Sequence, residues 1–325
     1  MPTTMNLLRL HRTQRLSRRL LLALAAALGP LAGAPDALAA APVFDFSPQQ
    51  PGRVRADKNP EAIAALPKDF RFVKDGVLTV AIAPSAPPIS TYATDTRTVV
   101  GSDADHAQLI ADALGLKLDL QPIAWADWPL GLTSGKYDAV ISNVGVTEQR
   151  KEKFDFSTYR LGLHGFFVRN DSTIQAIQSP KDVAGLKIIT SSGTIQERIL
   201  LEWNKQNLAA GLKPLELLYY DDESARNLAL IAGRADVHLN PHPMLAYHAA
   251  KEGKTRLVGT VNAGWPLKAD VAITTRKGSG LANALTIATN GLIKSGKYGA
   301  ALARWGLQSE ALTKSETNPP GLPKL

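Results

Sequence analysis

The chain has 325 residues, a formal net charge of +8 and no cysteine. The lack of cysteine excludes disulfides, thiolate metal sites, a cysteine nucleophile and a lipid anchor on an N-terminal cysteine. Beyond residue 39 the chain carries 32 basic and 28 acidic residues. This modest positive charge, with no basic stripe among aromatic residues, does not indicate nucleic-acid binding.

Residues 1–39 have the pattern of a secretory signal peptide. An arginine-rich segment precedes the apolar run 20–33, and Ala37-Leu38-Ala39 follows. This order predicts export, with cleavage after Ala39. Ser17-Arg18-Arg19 resembles part of a twin-arginine signal, so both the Sec and the twin-arginine routes stay open. We therefore expect a periplasmic protein that is not lipid-anchored.

The remaining chain alternates between strands and helices. Residues 40–75 are rich in proline and predict an irregular N-terminal extension. A first run then predicts strands at 77–83, 116–123 and 137–144, and helices at 103–115, 128–136 and 147–154. A second run predicts strands at 186–190, 215–220, 235–240, 255–260 and 270–278, and helices at 179–185, 194–211, 224–234, 243–253 and onward to about 308. We expect the proline-rich tail, 311–325, to lie loose or along the surface.

This alternation indicates an α/β protein with mostly parallel sheets. The two runs, separated near residues 161–171, predict two lobes. In such folds, ligands bind at the carboxyl ends of strands and at domain interfaces.

Three sequence stretches carry a family resemblance: WADWPLGLTSGKYDAVISNVGVTEQRKEKFDFS at 125–157, SPKDVAGLKIITSSGTIQE at 179–197, and IAGRADV at 231–237. From about Gly76 to Leu307, the chain resembles the family 3 extracellular solute-binding proteins, the periplasmic substrate-binding proteins of polar amino-acid ABC transporters. The resemblance implies a type II periplasmic binding protein, in which two lobes, each a mostly parallel sheet flanked by helices, are joined by two hinge strands. We expect lobe 1 at 76–164 plus 268–310 and lobe 2 at 165–267.

Arg150 is the first candidate binding residue. It follows a predicted strand end, and its planar guanidinium matches a carboxylate in two-point geometry. The resemblance implies that it holds the carboxylate of the ligand. The alternative is a surface arginine paired with Glu148 or Glu152.

Other candidates come from the same part of the first lobe. Ser142, Asn143 and Gly145 follow a strand, and the resemblance places them in the cleft, with only the backbone of Gly145 available. Trp128 stands where the family stacks an aromatic ring on the ligand, although it could also be a core residue. Trp125, three residues earlier, is expected in the core.

Gly193 and Thr194 lie at a strand-to-helix junction in the second lobe. Free N–H groups at a helix N-terminus form a site for anions. The resemblance implies that this turn binds the same carboxylate, which is compatible with a helix-capping role for Thr194 or Ser192.

The stretch ADVHLNPHP, residues 235–243, departs from the family pattern. The family places an aspartate for the ligand ammonium about five residues after Asp236, where this chain has Pro241. Asn240 and His242 flank that position and are the remaining candidates. The family's carboxylate partner for the ligand ammonium is therefore missing here. An organic acid without an amino group is an alternative ligand.

The expected function is a monomeric binding protein, not an enzyme, with no cofactor and no metal. It would deliver a small carboxylate-bearing ligand, a polar amino acid or a derivative, to an ABC permease in the inner membrane. One alternative is an enzyme similar to the periplasmic cyclohexadienyl dehydratases, with His238 or His242 as acid or base. A second is a metal site made by His238, His242, His248 and Asp236.

Overall fold

Two five-stranded sheets organise the protein over residues 43–268 and 270–324, which the computed structural model describes. The strands in chain order are β1 (Val77–Ile82), β2 (Thr91–Tyr92), β3 (Val99–Val100), β4 (Lys117–Pro122), β5 (Ala139–Val140), β6 (Phe154–Leu161), β7 (Leu163–Arg169), β8 (Lys187–Thr190), β9 (Glu216–Tyr219), β10 (Val237–Pro241), β11 (Thr255–Asn262) and β12 (Asp270–Arg276). The predicted signal peptide, 1–39, lies outside the described residues.

The α-helices described by the structure flank these sheets: α1 (Pro60–Ala64), α2 (Ser102–Leu114), α3 (Trp128–Thr133), α4 (Ile195–Ala209), α5 (Glu223–Ile231), α6 (His242–Glu252), α7 (Leu281–Lys294) and α8 (Lys297–Arg304). Several begin at the side chains that the sequence offers as caps. Asp222 accepts a hydrogen bond from the N–H of Ala225 at 2.8 Å, and Thr194 accepts one from the N–H of Glu197 at 3.2 Å. These caps satisfy N–H groups that have no partner inside the helix.

In each sheet four strands run in the same direction and one strand, β12 in the first sheet and β7 in the second, is antiparallel to both of its neighbours. The first has the order β4-β1-β5-β12-β6, with β1 parallel to both β4 and β5. The second has the order β11-β7-β10-β8-β9, with β8 parallel to both β10 and β9. We call the first sheet with its helices lobe 1 and the second lobe 2.

The chain changes sheets twice. It passes from β6 to β7 through Gly162, and it returns between β11 and β12, that is between Asn262 and Asp270. A fold with two hinge segments requires two such crossings. The residue boundaries expected for the lobes stay predictions.

Each lobe has its own apolar core. In lobe 1, buried residues of β1, α2, α7 and α8 pack together, and Leu78, Ile110, Leu285 and Trp305 are almost fully buried. In lobe 2, Phe166, Ile188, Ile199 and Trp203 form the corresponding core. The cores support the two sheets and leave the strand ends free to form a site between them.

The segments outside the alternating region are packed onto this framework. The extension contains helix α1, which packs against α7, although the sequence predicted no regular structure there. Arg55 of the extension pairs with Asp112 at 2.6 Å. The tail was expected to lie loose or along the surface, but Leu322 is fully buried and belongs to the lobe 2 core.

Two predicted helices are shorter than the sequence indicated. The region 147–154 forms only the three-residue 3-10 turn Arg150–Glu152, and 179–185 forms only Pro180–Val183. In the first case β6 begins at Phe154 and pairs with β12. The sheet therefore takes over from the turn at Phe154, the last residue of the predicted helix.

Candidate functional site

A cleft of about 450 Å³ lies between the two lobes. Lobe 1 lines it with residues that follow β1, β4 and β5, and lobe 2 with residues that follow β8, β9 and β10. The crossing segments contribute Arg160, Gly162, His164 and Val271. The cleft therefore collects the carboxyl ends of the parallel strands of both sheets, where α/β folds bind ligands.

Arg150 reaches across the cleft. Its Nη1 donates to the carbonyl of Gly145 in lobe 1 at 2.8 Å, and its Nη2 donates to the carbonyl of Gly193 in lobe 2 at 3.0 Å. The backbone N–H of Arg150 donates to Thr147 Oγ1 at 3.0 Å, which positions the residue at the start of its turn. These side-chain bonds use two of the five guanidinium donors. The others are available to an anion in the cleft.

Burial of the guanidinium and, to a smaller extent, the nearby Arg198 together lower the pKa of Arg150 to about 10. The group therefore remains cationic at neutral pH. The alternative pairing of Arg150 with Glu148 or Glu152 is not formed, because Glu148 bonds to Lys151 at 3.1 Å and Glu152 to Lys324.

The two tryptophans exchange the roles expected from the sequence. Trp125 lines the cleft, and Arg150 Cζ lies 5.7 Å from its ring and 5.6 Å from the ring of Trp128. Trp128 is 3% exposed and packs against Phe154, with ring centroids 4.9 Å apart. Because α3 packs against β5 and β12, its first residue turns toward the sheet. The structure therefore places Trp128 in the core and Trp125 at the cleft, and a ligand contact of either ring stays a prediction.

Ser142, Asn143 and Gly145 all line the cleft, and the side chains of Ser142 and Asn143 also have structural partners. Ser142 Oγ accepts from the N–H of Ala83 at 2.9 Å. Asn143 has φ of 51°, and its Oδ1 accepts from Arg160. At Gly145 an added Cβ would lie 2.3 Å from Ile195 Cδ1 of lobe 2. Glycine at this position permits the close approach of the lobes.

The turn at Gly193 and Thr194 is only partly arranged as expected. Thr194 lines the cleft, whereas Gly193 is not among the lining residues. The N–H of Gly193 donates to Glu197 Oε2 at 2.7 Å, so this donor is already engaged. Gly193 meets the site through its carbonyl, which accepts from Arg150.

Asn240 lines the cleft at the end of β10, and His242, the first residue of α6, does not. His242 lies near Phe167 instead, with ring centroids 6.1 Å apart. Pro241 lines the cleft and pairs in the sheet with His164. Pro241, which stands where the family pattern has an aspartate, therefore faces the cleft.

Lobe 2 contributes a buried polar cluster that the sequence reasoning missed. Glu223 Oε2 accepts from Asn240 Nδ2 at 3.0 Å and lies 3.3 Å from Arg226 Nη1. Gln196 Nε2 donates to Asn240 Oδ1 at 3.4 Å, and Arg226 Nη1 donates to Ser191 Oγ at 2.8 Å. The available signal was the run DDES at 221–224, three acids between a strand and a helix.

Two buried residues line the base of the cleft: His164, which is neutral, and Arg160, whose charge is paired with an acid. Burial and, to a smaller extent, the nearby Arg160 together lower the pKa of His164 to about 3. Both ring nitrogens of His164 are buried without a hydrogen-bond partner. Arg160 pairs with Glu310 and bonds to Asn143, so its charge is balanced within the protein.

The histidines of the proposed metal site lie in different environments. His238 is buried in β10, while His248 is partly exposed on α6, 3.3 Å from Glu252. Across residues 43–268 and 270–324, no group of three or more histidine, aspartate and glutamate side chains is arranged to hold a metal ion. Over the same residues, no helix is long and apolar enough to cross a membrane.

Residues 78–308 match the family model of the bacterial extracellular solute-binding proteins, family 3. The chain belongs to this family. The two-lobed type II periplasmic binding protein fold predicted from the sequence is confirmed, because an ancestral arginine-binding protein solved with arginine has a TM-score of 0.62 and 26% identity over 71% of this chain and 98% of that one. An ancestral arginine-binding protein solved with glutamine has a TM-score of 0.60 and 27% identity over 71% of this chain and 98% of that one.

Among curated proteins, this family member is similar to the L-cystine-binding protein TcyJ of Escherichia coli strain K12. The two are 30% identical over 234 residues, which cover 71% of this chain and 82% of that protein. The cyclohexadienyl dehydratase of Pseudomonas aeruginosa is 26% identical over 173 residues, or 51% of this chain and 60% of that enzyme. The proteins similar to this chain thus include a binding protein and an enzyme. The match to the binding protein TcyJ covers more of the chain than the match to the enzyme.

Proposed function

We propose that this protein is the periplasmic solute-binding component of an amino-acid ABC transporter. It binds a small amino acid or a derivative between its lobes and delivers it to a permease in the inner membrane. The observation that carries the proposal is Arg150, a cationic group that contacts both lobes inside the cleft. The match to TcyJ and the structures with bound arginine and glutamine support the same class of ligand.

In this proposal the guanidinium of Arg150 binds the ligand carboxylate. Two N–H groups in one plane match the two carboxylate oxygens, and burial strengthens the attraction. Ser142, Asn143, Gly145 and Thr194 would surround the bound carboxylate with backbone and side-chain polar groups, and Asn240 would face the opposite part of the ligand. The ring of Trp125 would cover the ligand from lobe 1.

Closure would follow from the position of the site. Ligand contacts on both lobes favour the conformation in which the lobes are close, and the two crossing segments provide the hinge. The closed form presents a surface to the permease that the open form lacks. The predicted signal peptide would deliver the chain, as a monomer, to the periplasm.

Thermal shift and calorimetry on residues 40–325 test the proposal. We expect at least one amino acid among the twenty standard ones, cystine, ornithine and citrulline to raise the melting temperature and to bind with one-to-one stoichiometry. Small organic acids without an amino group form the comparison set. If no carboxylate compound binds, the role of Arg150 is refuted. If organic acids bind and amino acids do not, the amino-acid assignment is refuted.

A catalytic role has a separate test. Glu223 is the cleft acid whose pKa is raised by burial, but Arg226 and the Asn240 amide favour its charged form, as expected of a binding group. We expect no turnover of prephenate or arogenate by the purified protein. Turnover abolished by Glu223→Gln would overturn the assignment as a binding protein.

A further inference from the structure

Glu223 has one oxygen that the protein leaves without a partner. The residue is 6% exposed and lines the cleft at the first position of α5. Its Oε2 interacts with Asn240 and Arg226, whereas its Oε1 is buried and accepts no hydrogen bond. A buried carboxylate oxygen without a donor is costly. A donor from the ligand would remove this cost.

The location of Glu223 is also informative. Pro241, at the end of β10, offers no side-chain acceptor to the cleft. Asn240, immediately before it, points its amide nitrogen to Glu223 of the neighbouring strand-to-helix junction. The acid beside the end of β10 therefore comes from α5, and Asn240 holds it in place. A negative group on lobe 2 thus shares the cleft with the cationic Arg150 of lobe 1.

We propose that Glu223 recognises a cationic nitrogen of the bound ligand through Oε1. This inference rests on the proposed function and specifies its ligand class as amino acids, with Arg150 at the carboxylate and Glu223 at the cation. The cation is either the α-ammonium or a positively charged side chain. Both would donate charge-assisted hydrogen bonds to the same oxygen.

Arg226 does not remove the need for a cation. It lies 3.3 Å from Oε2, and its Nη1 also donates to Ser191 while its Nη2 donates to the carbonyl of Asp221 at 3.2 Å. These contacts orient Arg226 toward Oε2 and the loops around it. The guanidinium of Arg226 balances the charge of Glu223 through Oε2, and Oε1 is left for the ligand.

The test compares amino acids with their amine-free counterparts in Glu223→Gln. The probes are L-arginine, L-glutamine and L-cystine, paired with 5-guanidinopentanoate, 4-carbamoylbutanoate and 3,3′-dithiodipropionate. Gln keeps the size of the side chain and removes its charge. Glu216→Gln is the matched control, because Glu216 lies in the same lobe at the opposite end of β9 and pairs with Lys187 at 3.5 Å.

We expect E223Q to weaken the amino acids that bind the wild-type chain by roughly 10- to 100-fold, the effect of losing a charged hydrogen bond. The two amine-free compounds that carry no cation, 4-carbamoylbutanoate and 3,3′-dithiodipropionate, should bind E223Q as well as wild type or better, because Arg226 loses its counter-charge. E216Q should change no affinity more than about threefold. Loss of L-glutamine or L-cystine binding identifies the α-ammonium, and equal loss of L-arginine and 5-guanidinopentanoate identifies the side-chain cation.

Three results would overturn the inference. Unchanged amino-acid binding by E223Q would do so, and so would an equal loss of all amine-free compounds, which indicates a structural role. Failure of every amino acid in the thermal-shift set to bind the wild-type chain would instead refute the amino-acid function on which the inference rests. If E223Q does not fold by circular dichroism, Glu223→Asp replaces it, and the same selective weakening of amino acids is expected from the shortened side chain.

Discussion

Arg150 of lobe 1 and Gly193 of lobe 2 are joined by a hydrogen bond of 3.0 Å from Nη2 to the carbonyl oxygen. The same guanidinium bonds to Gly145 within lobe 1, so one side chain connects both walls of the cleft. A ligand carboxylate at this point would accept hydrogen bonds from the same guanidinium that joins the two lobes. Binding and closure would therefore be coupled at a single residue.

We expect Arg150→Lys to weaken binding of a carboxylate ligand by roughly 10- to 100-fold. Lysine keeps the charge but cannot make the planar two-point contact or span both carbonyls. Arg198→Lys is the control, since Arg198 is the neighbouring arginine and does not line the cleft. Calorimetry with the amino acid found by thermal shift measures both. Equal affinities for R150K and wild type would show that the ligand does not use this guanidinium.

The tryptophan pair separates binding from stability. Trp125→Ala should weaken ligand binding with a small change in the free energy of unfolding, because its ring lines the cleft. Trp128→Ala should lower that free energy by about 3–5 kcal/mol, because its buried ring leaves a cavity. Urea unfolding and calorimetry on both variants test the assignment. The reverse pattern would restore the ligand role to Trp128.

The same pair shows where sequence reasoning reached its limit. The alternation of strands and helices predicted both lobes, and the strand ends placed Ser142, Asn143 and Arg150 near a common cleft. Spacing could not decide which tryptophan faced the ligand, because that depends on how α3 packs against β5 and β12. Glu223 was missed for a similar reason, since its importance comes from contacts with residues far away in sequence.

The docking of the tail was also beyond prediction, because it depends on contacts far away in sequence. The proline-rich sequence has no periodicity, so it gave no sign that Leu322 enters the lobe 2 core. Leu322 also exchanges backbone hydrogen bonds with lobe 1, through Val146 at 3.0 Å and Glu148 at 2.9 Å. The tail therefore links both lobes beside the cleft.

We expect Leu322→Ala to lower the free energy of unfolding by about 2–4 kcal/mol, the usual cost of truncating a buried leucine. The matched control is Leu208→Ala, because Leu208 is 53% exposed on α4 and should contribute less than about 0.5 kcal/mol. Urea unfolding of both variants gives the comparison. Similar losses in the two would show that the tail is not docked in solution.

Buried histidines should make the protein sensitive to acid. Burial lowers the pKa of His106 and of His164 to about 3 and holds that of His238 well below its ordinary value. In the unfolded chain each titrates near pH 6.5. Between about pH 6.5 and 3, the unfolded chain therefore binds protons that the folded chain excludes. The free energy of unfolding should fall as the pH drops through this range, by up to about 1.4 kcal/mol per pH unit for each histidine.

Asp103 acts in the opposite direction, because burial raises its pKa to about 6. The folded chain holds that proton more tightly than the unfolded chain between about pH 4 and 6, which offsets one histidine. His106→Phe isolates the histidine effect, since it keeps a flat ring against Tyr159, now 4.6 Å between centroids. Urea unfolding at pH 7.5 and pH 5 should show a loss about 2 kcal/mol smaller in H106F than in wild type. Equal losses would mean that His106 takes up its proton in the folded protein.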